Sequence, residues 1–320
     1  MSQFLSIILP FLGLIAAGFS AARWLGLPAQ GVSGLNLFVY YFALPAWFFQ
    51  LVAETSFRDL PSWSFLLTTT FATYCAFAIA FSFGALVNRG NVPEATIQGL
   101  VGSYANIGYM APALTVAAFG PLAAAPTALI FTFDSMMLFA LVPLMMTLGG
   151  TSRTDGRSMA RSIGRRVATH PVIIATVLGV LFSVAGLPLP GPVTSLLDVL
   201  RSAAVPVALF SIGAGLVQMS RGRLAPETPV ILLVKLVVHP LIVYLLLSWI
   251  GGFDIIWVYA AVLMAALPPA ANVLALARQY ATYERRAAAA VYYGTVASIV
   301  TLSVTLVLLL SDDLPVDPFR

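Results

Sequence analysis

Residues 102–112 read GSYANIGYMAP and lie inside a segment that is otherwise apolar enough to cross a lipid bilayer. Proline lacks an amide hydrogen and its ring clashes with the preceding helical turn, so Pro112 disrupts the backbone hydrogen bonding of such a helix. In hydrocarbon the released carbonyl and amide groups are tolerated only where protein encloses them or where they line a wetted cavity. The stretch therefore predicts an interrupted membrane helix beside a cavity.

The composition places the whole chain in the membrane. Of its 320 residues, 60% are hydrophobic and 9% are charged, which leaves too little polar surface to cover a soluble globule of this size. Apolar segments recur along the chain, each long enough to span about 30 Å of hydrocarbon. We predict an all-α polytopic membrane protein with ten transmembrane helices. The ten segments are 2–22, 32–53, 62–87, 95–118, 122–148, 168–186, 192–218, 228–250, 255–279 and 285–310.

Enzymatic signatures are missing from the sequence. It contains no HExxH, GxxxxGK[ST] or GxSxG motif, which argues against a metalloprotease, a nucleotide-driven enzyme and a serine hydrolase. The single cysteine, Cys75, cannot form an intrachain disulfide or a cysteine-rich metal site. We therefore predict a protein that is not an enzyme, with no cofactor and no bound metal.

The distribution of basic residues predicts the orientation in the membrane. Alternate loops on one side carry twelve arginines, whereas the other side carries only Arg58 and Arg320. Short basic loops stay in the cytoplasm, so the basic linker 149–167 is predicted to be cytoplasmic and both termini, including the tail 311–320, extracytoplasmic. The net charge of +4 is then a topological signal, and we predict no nucleic-acid partner.

The linker divides the chain into two repeats, residues 1–148 and 168–310. Five helices in each half force the second repeat to enter the membrane from the opposite face. FALPAWFF at 42–49 is echoed by AAVPVALF at 203–210, which supports an internal duplication. Segment four then corresponds to segment nine, whose centre is AALPPAANVLALA at 265–277 and contains further prolines. The sequence therefore predicts an inverted repeat with two broken helices.

Broken helices at matched positions indicate a binding site. Inverted-repeat transporters place two interrupted helices at the bilayer midplane, where half-helix N-termini face an anionic substrate. Asn106 and Asn272 would add amide donors there without the cost of a buried charge. The structural alternative is a proline kink with an asparagine that only packs against the next helix.

Asp134, Lys235 and His239 are among the ionisable residues inside predicted membrane segments. Asp134 is in segment five, and Lys235 and His239 are four residues apart on one face of segment eight. An intramembrane ionisable group is costly and is a functional hypothesis by default. We predict that the three form a proton or cation linkage site near the broken helices. The alternative is a fixed buried ion pair without a role in transport.

Several stretches resemble the auxin efflux carrier family, especially its bacterial malonate-transporter-like members. They cover nearly the whole chain in order: LNLFVYYFALPAWFF (35–49), ANIGYMAP (105–112), PVALFSIGAGL (206–216), KLVVHPLIVYLL (235–246) and ALPPAANVLALARQY (266–280). The resemblance implies a fold shared in outline with bile-acid sodium symporters, in which helices four and nine cross at their prolines. A scaffold of helices one, two, six and seven would support a moving transport domain of the other six.

The resemblance also implies the substrate-binding residues. The family's crossing asparagines and prolines correspond to Asn106, Pro112, Pro268, Pro269 and Asn272. Gly108 and Tyr109 belong to the same interrupted stretch, and Tyr41 is an aromatic residue able to reach the cavity, so all three join the predicted site. The sequence departs from the family pattern in having Met110 and Ala111 where a glycine-rich turn is expected before the proline.

The predicted function is secondary transport of a small organic anion, such as malonate, across the bacterial inner membrane by elevator-like alternating access. Its partners would be the substrate, the lipid bilayer and a second copy in a homodimer, with H⁺ or Na⁺ as the coupling ion of a symport. Two alternatives remain at this point. One is a sodium-coupled symporter of a larger amphipathic anion, and the other is a channel or a ligand sensor that does not transport.

Overall fold

A computed structural model describes residues 2–54, 63–150, 156–186, 188–218 and 224–311, and these residues are predominantly helical. The helices are α1 (Ser2–Trp24), α2 (Ala29–Phe38), α3 (Leu44–Ala53), α4 (Trp63–Val87), α5 (Val92–Ser103), α6 (Ala111–Phe119), α7 (Ala124–Leu148), α8 (Gly156–Ala168), α9 (Pro171–Ala185), α10 (Gly191–Gln218), α11 (Thr228–Leu233), α12 (His239–Ile250), α13 (Ile255–Ala266), α14 (Ala271–Gln279) and α15 (Glu284–Leu310). Two π-helical turns, Val39–Ala43 and Val234–Val238, join α2 to α3 and α11 to α12.

Long apolar helices confirm a polytopic α-helical membrane protein. Within the described residues, six helical stretches are long and apolar enough to cross a bilayer. Two shorter apolar helices are Leu9–Trp24 and Ile255–Ala266. Large apolar side chains are exposed along these helices, as expected for surfaces in contact with lipid. The six stretches are Ala29–Ala53, Trp63–Val87, Pro121–Leu148, Gly191–Gln218, Thr228–Ile250 and Glu284–Leu310.

The two predicted interruptions lie where the prolines place them. Residues 104–110 separate α5 from α6, and residues 267–270 separate α13 from α14. Pro112 is in the first turn of α6, where its missing amide hydrogen costs no helical hydrogen bond. Segments four and nine are therefore each built from two shorter helices rather than from one kinked helix.

The chain forms two compact units. The first comprises Met1–Pro61, Gly108–Thr132 and Ala168–Met219. Within it α1 packs against α10 and α3 packs against α9. The α1–α10 contact is close because glycines face backbone: a Cβ added at Gly18 would lie 1.9 Å from the Phe210 carbonyl oxygen, and one at Gly213 would lie 1.9 Å from that of Ile15. A larger residue at either glycine would force these helices apart.

The second unit comprises Ser62–Ile107, Phe133–Val167 and Ser220–Arg320. Within it α4 packs along α5, and α12 packs against α4 and α13. The resemblance assigned helices four and five entirely to the moving domain, but Gly108–Thr132 belong to the first unit. The interruption at 104–110 explains this difference for segment four, since α5 and α6 are separate helices and can belong to different units.

The basic linker contains a helix that the sequence analysis did not predict. Within 149–167 the chain forms most of α8, a helix with four arginines. Residues 151–155 of the linker lie outside the described residues, as do residues 312–320 of the tail predicted to be extracytoplasmic.

Candidate functional site

The two interrupted helices cross by direct backbone pairing within the second unit. Ala105 and Pro269 form an antiparallel bridge in the middle of the two interruptions. Two hydrogen bonds flank it and satisfy backbone groups that the helix breaks leave free, which is a requirement in hydrocarbon. The flanking bonds run from Asn106 N to Pro268 O (2.8 Å) and from Ala270 N to Tyr104 O (3.1 Å).

Local sequence explains why the chain can cross at this point. Neither Pro268 nor Pro269 has an amide hydrogen. The extended backbone at these two positions therefore leaves fewer N–H donors without a partner than two other residues would. Gly294 in α15 provides the space, because a Cβ at this position would lie 2.8 Å from Cδ of Pro269. The crossing is therefore packed tightly against α15.

The asparagines differ in exposure. Asn106 is buried beside the crossing, whereas Asn272 is exposed in the first turn of α14. The residue that precedes α14, Ala270, provides no side-chain cap, so the amide groups of the first turn are not satisfied by a capping side chain. A helix N-terminus carries partial positive charge and favours an anion. The start of α14 therefore presents the exposed Asn272 amide and backbone donors of the kind that anions prefer.

The remaining predicted substrate-binding residues belong to the first unit. Tyr41 lies in the π-helical turn Val39–Ala43 and is 56% exposed. Gly108 and Tyr109 lie in the interruption, with Gly108 close to Phe131: an added Cβ would lie 3.2 Å from that ring. Pro112 is buried at the start of α6. The structure thus brings Asn106, Pro268 and Pro269 together at the crossing in the second unit, which also contains Asn272. The other four predicted residues belong to the first unit.

Lys235 and His239 form a buried polar cluster next to the crossing. Lys235, the chain's only lysine, lies in the π-helical turn Val234–Val238 and is completely buried. Its ammonium donates to the carbonyl oxygen of Ala265, in the last turn of α13, and lies 3.2 Å from Nδ1 of His239. Nε2 of His239 lies 3.4 Å from the Thr73 hydroxyl in α4. The cluster therefore links α4, α12 and the end of the broken helix α13.

Asp134 lies within electrostatic range of Lys235 but makes no direct ion pair with it. The two charges act on each other, and Thr73 interacts with the carboxyl as well. Oδ1 of Asp134 is buried without a hydrogen-bond partner. Within the described residues, one ion pair has its nitrogen and oxygen atoms less than 4.0 Å apart, and it joins Arg286 to Glu227. The expected pairing of Asp134 with Lys235 and His239 is thus a loose cluster, because the ammonium points to Ala265.

The described residues contain no group of three or more His, Cys, Asp or Glu side chains placed to hold a metal ion. The polar cluster instead combines one acid, one ammonium, one imidazole and one hydroxyl. Such a set can bind and release protons, since it contains both acidic and basic groups at short separation.

A second buried cluster escaped the sequence analysis. Glu227 precedes α11, is 3% exposed, and accepts hydrogen bonds from Tyr283 (2.8 Å) and Arg286 (3.1 Å). The Gln98 amide lies 3.5 Å from the same carboxylate oxygen. Burial raises the pKa of Tyr283, so its hydroxyl stays protonated and donates at neutral pH. Glu227 therefore joins α5, α11 and the start of α15. The sequence analysis missed it because Glu227 lies in a short polar loop, where there is no hydrophobic periodicity to read.

Glu227 is expected to contribute strongly to stability. Glu227→Ala removes the acceptor of several charge-assisted hydrogen bonds, each worth about 1.5–3 kcal/mol, and we expect the free energy of unfolding to fall by about 3 kcal/mol. Thermal unfolding in detergent, followed by circular dichroism, measures the change. Glu284→Ala is the matched control, since Glu284 is exposed, and its effect should stay within about 0.5 kcal/mol. Equal effects of the two substitutions would contradict a role for this cluster.

The fold and the crossing define a class of protein: a multi-pass α-helical membrane protein built around two interrupted helices. Comparison with known proteins specifies it further. The family described as membrane transport protein matches residues 4–306. The chain belongs to this family, the auxin efflux carriers that its sequence resembles. It is 41% identical over 319 residues to a proposed malonate transporter of Rhizobium meliloti (strain 1021), with 100% of both chains covered. The protein is a membrane transporter and not an enzyme.

Proposed function

We propose that the protein is a secondary transporter of a small organic anion, with a short dicarboxylate such as malonate as the preferred substrate. The observation that carries the proposal is the antiparallel crossing of two interrupted helices at Ala105 and Pro269. Extended backbone inside hydrocarbon is tolerated where it is enclosed by protein or lines a cavity. A crossing of this kind with a free half-helix N-terminus is the arrangement that secondary transporters use to bind their substrates.

The architecture proposed for transport is an inverted repeat of five and five helices. The order of the helices supports this proposal: ten segments result if α2 with α3, α5 with α6, α11 with α12 and α13 with α14 each count as one and α8 is left out. The interruptions would then fall in the fourth and ninth segments. The two compact units suggest which parts move: the first would be the scaffold and the second would carry the crossing in elevator-like alternating access. Both termini would be extracytoplasmic, and the protein would be a homodimer in the bacterial inner membrane.

The substrate class follows from the chemistry of the second unit. The uncapped start of α14 and the exposed Asn272 offer neutral donors to a carboxylate. Asn106 lies buried at the crossing and would contribute a further amide. The name of the Rhizobium meliloti relative refers to malonate, which has two carboxylates on one carbon.

A proton is the coupling ion that the buried cluster favours. A sodium ion at the end of α13 would need oxygen atoms as ligands, but the Ala265 carbonyl already accepts from the Lys235 ammonium. Asp134 and His239 are buried groups able to change protonation during the cycle. The alternative, a sodium-coupled symporter of a larger amphipathic anion, predicts that uptake requires Na⁺.

Ligand-dependent stabilisation tests the substrate and the site together. A panel from acetate and malonate to indole-3-acetate and taurocholate is added to the purified protein, and thermal unfolding is measured. A ligand at 100 times its Kd stabilises the folded state by about 2.7 kcal/mol. We expect the largest effect with malonate, and we expect Asn106→Ala to weaken binding about 10-fold through loss of buried amide hydrogen bonds.

The control variant is Asn36→Ala, which removes an asparagine of α2 that is not among the proposed binding residues and should bind malonate like the wild type. Stabilisation by taurocholate alone would favour the sodium-coupled alternative. Absence of stabilisation by every carboxylate, at concentrations well above millimolar, would overturn the proposed anion specificity.

A further inference from the structure

The helix α8 presents a strongly basic face. Arg157, Arg161 and Arg165 recur every four residues, so their side chains lie along one side of the helix, and all three are exposed. The sequence of α8, GRSMARSIGRRVA, contains four arginines and no acidic residue. A helix of 13 residues with this charge cannot lie within hydrocarbon.

The opposite face of α8 is more protected and carries three apolar residues together with Arg166. Met159, Ile163 and Val167 share the same four-residue spacing and are half-buried. Sδ of Met159 lies 4.0 Å from the hydroxyl of Thr147, in the last turn of α7. The helix is thus amphipathic and is held through its apolar face beside the end of a helix that is long enough to span the membrane.

Chain connectivity keeps α8 at the membrane surface. The helix begins eight residues after α7 ends at Leu148, and the apolar helix α9 begins three residues after α8 ends at Ala168. A basic amphipathic helix tethered in this way lies in the interface, with its apolar side inward and its arginines at the level of the lipid headgroups.

We propose that α8 is a binding site for anionic phospholipids and that Arg157 and Arg161 bind the phosphate groups of their headgroups. The guanidinium group matches a phosphate because it donates two parallel hydrogen bonds in a fixed geometry. Without an acidic residue in the helix, the positive charge is not neutralised within α8. Each basic residue near an anionic membrane surface strengthens the electrostatic attraction to that surface.

Lipid titration of the full-length protein tests this site. Native mass spectrometry in detergent micelles counts the bound lipids while dioleoyl phosphatidylglycerol or dioleoyl phosphatidylcholine is added. We expect phosphatidylglycerol to bind more tightly than phosphatidylcholine. In the double variant Arg157→Gln and Arg161→Gln we expect an affinity for phosphatidylglycerol about 30-fold lower, about 5-fold for each arginine. High salt should weaken wild-type binding in the same way.

The matched control removes two exposed arginines elsewhere, with Arg278→Gln and Arg285→Gln, and leaves α8 intact. It should retain wild-type affinity, while circular dichroism and gel filtration verify that both double variants fold. Equal loss in the two double variants would overturn the proposal, since it would show a general charge effect. Equal binding of both lipids, or displacement of the lipid by millimolar inorganic phosphate, would also overturn it.

Discussion

Lys235→Met is expected to reduce uptake of malonate, the proposed substrate, by at least 100-fold. Methionine has similar length but no charge, so the Ala265 carbonyl loses its donor and the buried Asp134 loses its cationic neighbour. Leaving a buried polar group without its hydrogen-bond partner costs about 1–3 kcal/mol, and more when the group is charged. A loss of free energy of this size next to the crossing changes the relative stability of the conformations that must interconvert during transport. Uptake of radiolabelled malonate into proteoliposomes measures the effect.

The control for this variant separates transport from folding. Arg278→Met removes an exposed cation and should leave uptake close to that of the wild type. The double variant Lys235→Met with Asp134→Asn removes both buried charges, and we expect it to fold more stably than Lys235→Met alone. Uptake by Lys235→Met above half of the wild-type rate would contradict a role of this ammonium in transport.

Asp134→Asn is expected to uncouple transport from protons. Asparagine keeps the size of the side chain but cannot bind or release a proton in the relevant pH range. We expect uptake driven by a pH gradient to fall by about 100-fold, which corresponds to a barrier higher by about 2.7 kcal/mol. Exchange of labelled for unlabelled substrate, which needs no net proton movement, should persist. Both are measured in the same proteoliposomes.

Asp198→Asn is the matched control for this variant. The Asp198 carboxylate lies in α10 of the first unit and accepts a hydrogen bond from Gln50 (2.8 Å), so the substitution removes an acid outside the cluster. Its uptake should keep the wild-type pH dependence. If Asp134→Asn has an unchanged pH profile, the proton linkage is wrong. If wild-type uptake stops when choline replaces Na⁺, sodium is the coupling ion instead.

The sequence predicted the helices well because their signals are local. Apolar segments of sufficient length determine membrane helices one by one, and prolines mark their interruptions without reference to the rest of the chain. The breaks at 104–110 and 267–270 follow from Pro112, Pro268 and Pro269. The family was also readable, since the quoted stretches cover nearly the whole chain in order and the family match confirms them.

The predicted substrate-binding and ion-linkage residues stay a prediction, and sequence separation decided which of their contacts could be foreseen. Lys235 and His239 are four residues apart, so their proximity follows from helical spacing. Glu227 was missed because its partner Gln98 is 129 residues away in sequence and no local pattern connects the two. The direct pairing of Asp134 with Lys235 was expected from charge alone, but the ammonium points to the carbonyl of Ala265.

What the sequence by itself determined is the class of protein, a polytopic α-helical membrane protein, and the two places where helices break. The tertiary structure alone decided that the breaks pair with each other, through a bridge between Ala105 and Pro269. It also decided that Gly108–Thr132 belong to the first unit rather than to the second. The physical reason is that helix formation and helix breaking depend on neighbouring residues. The partner of a freed backbone group is set by packing between segments that are remote in sequence.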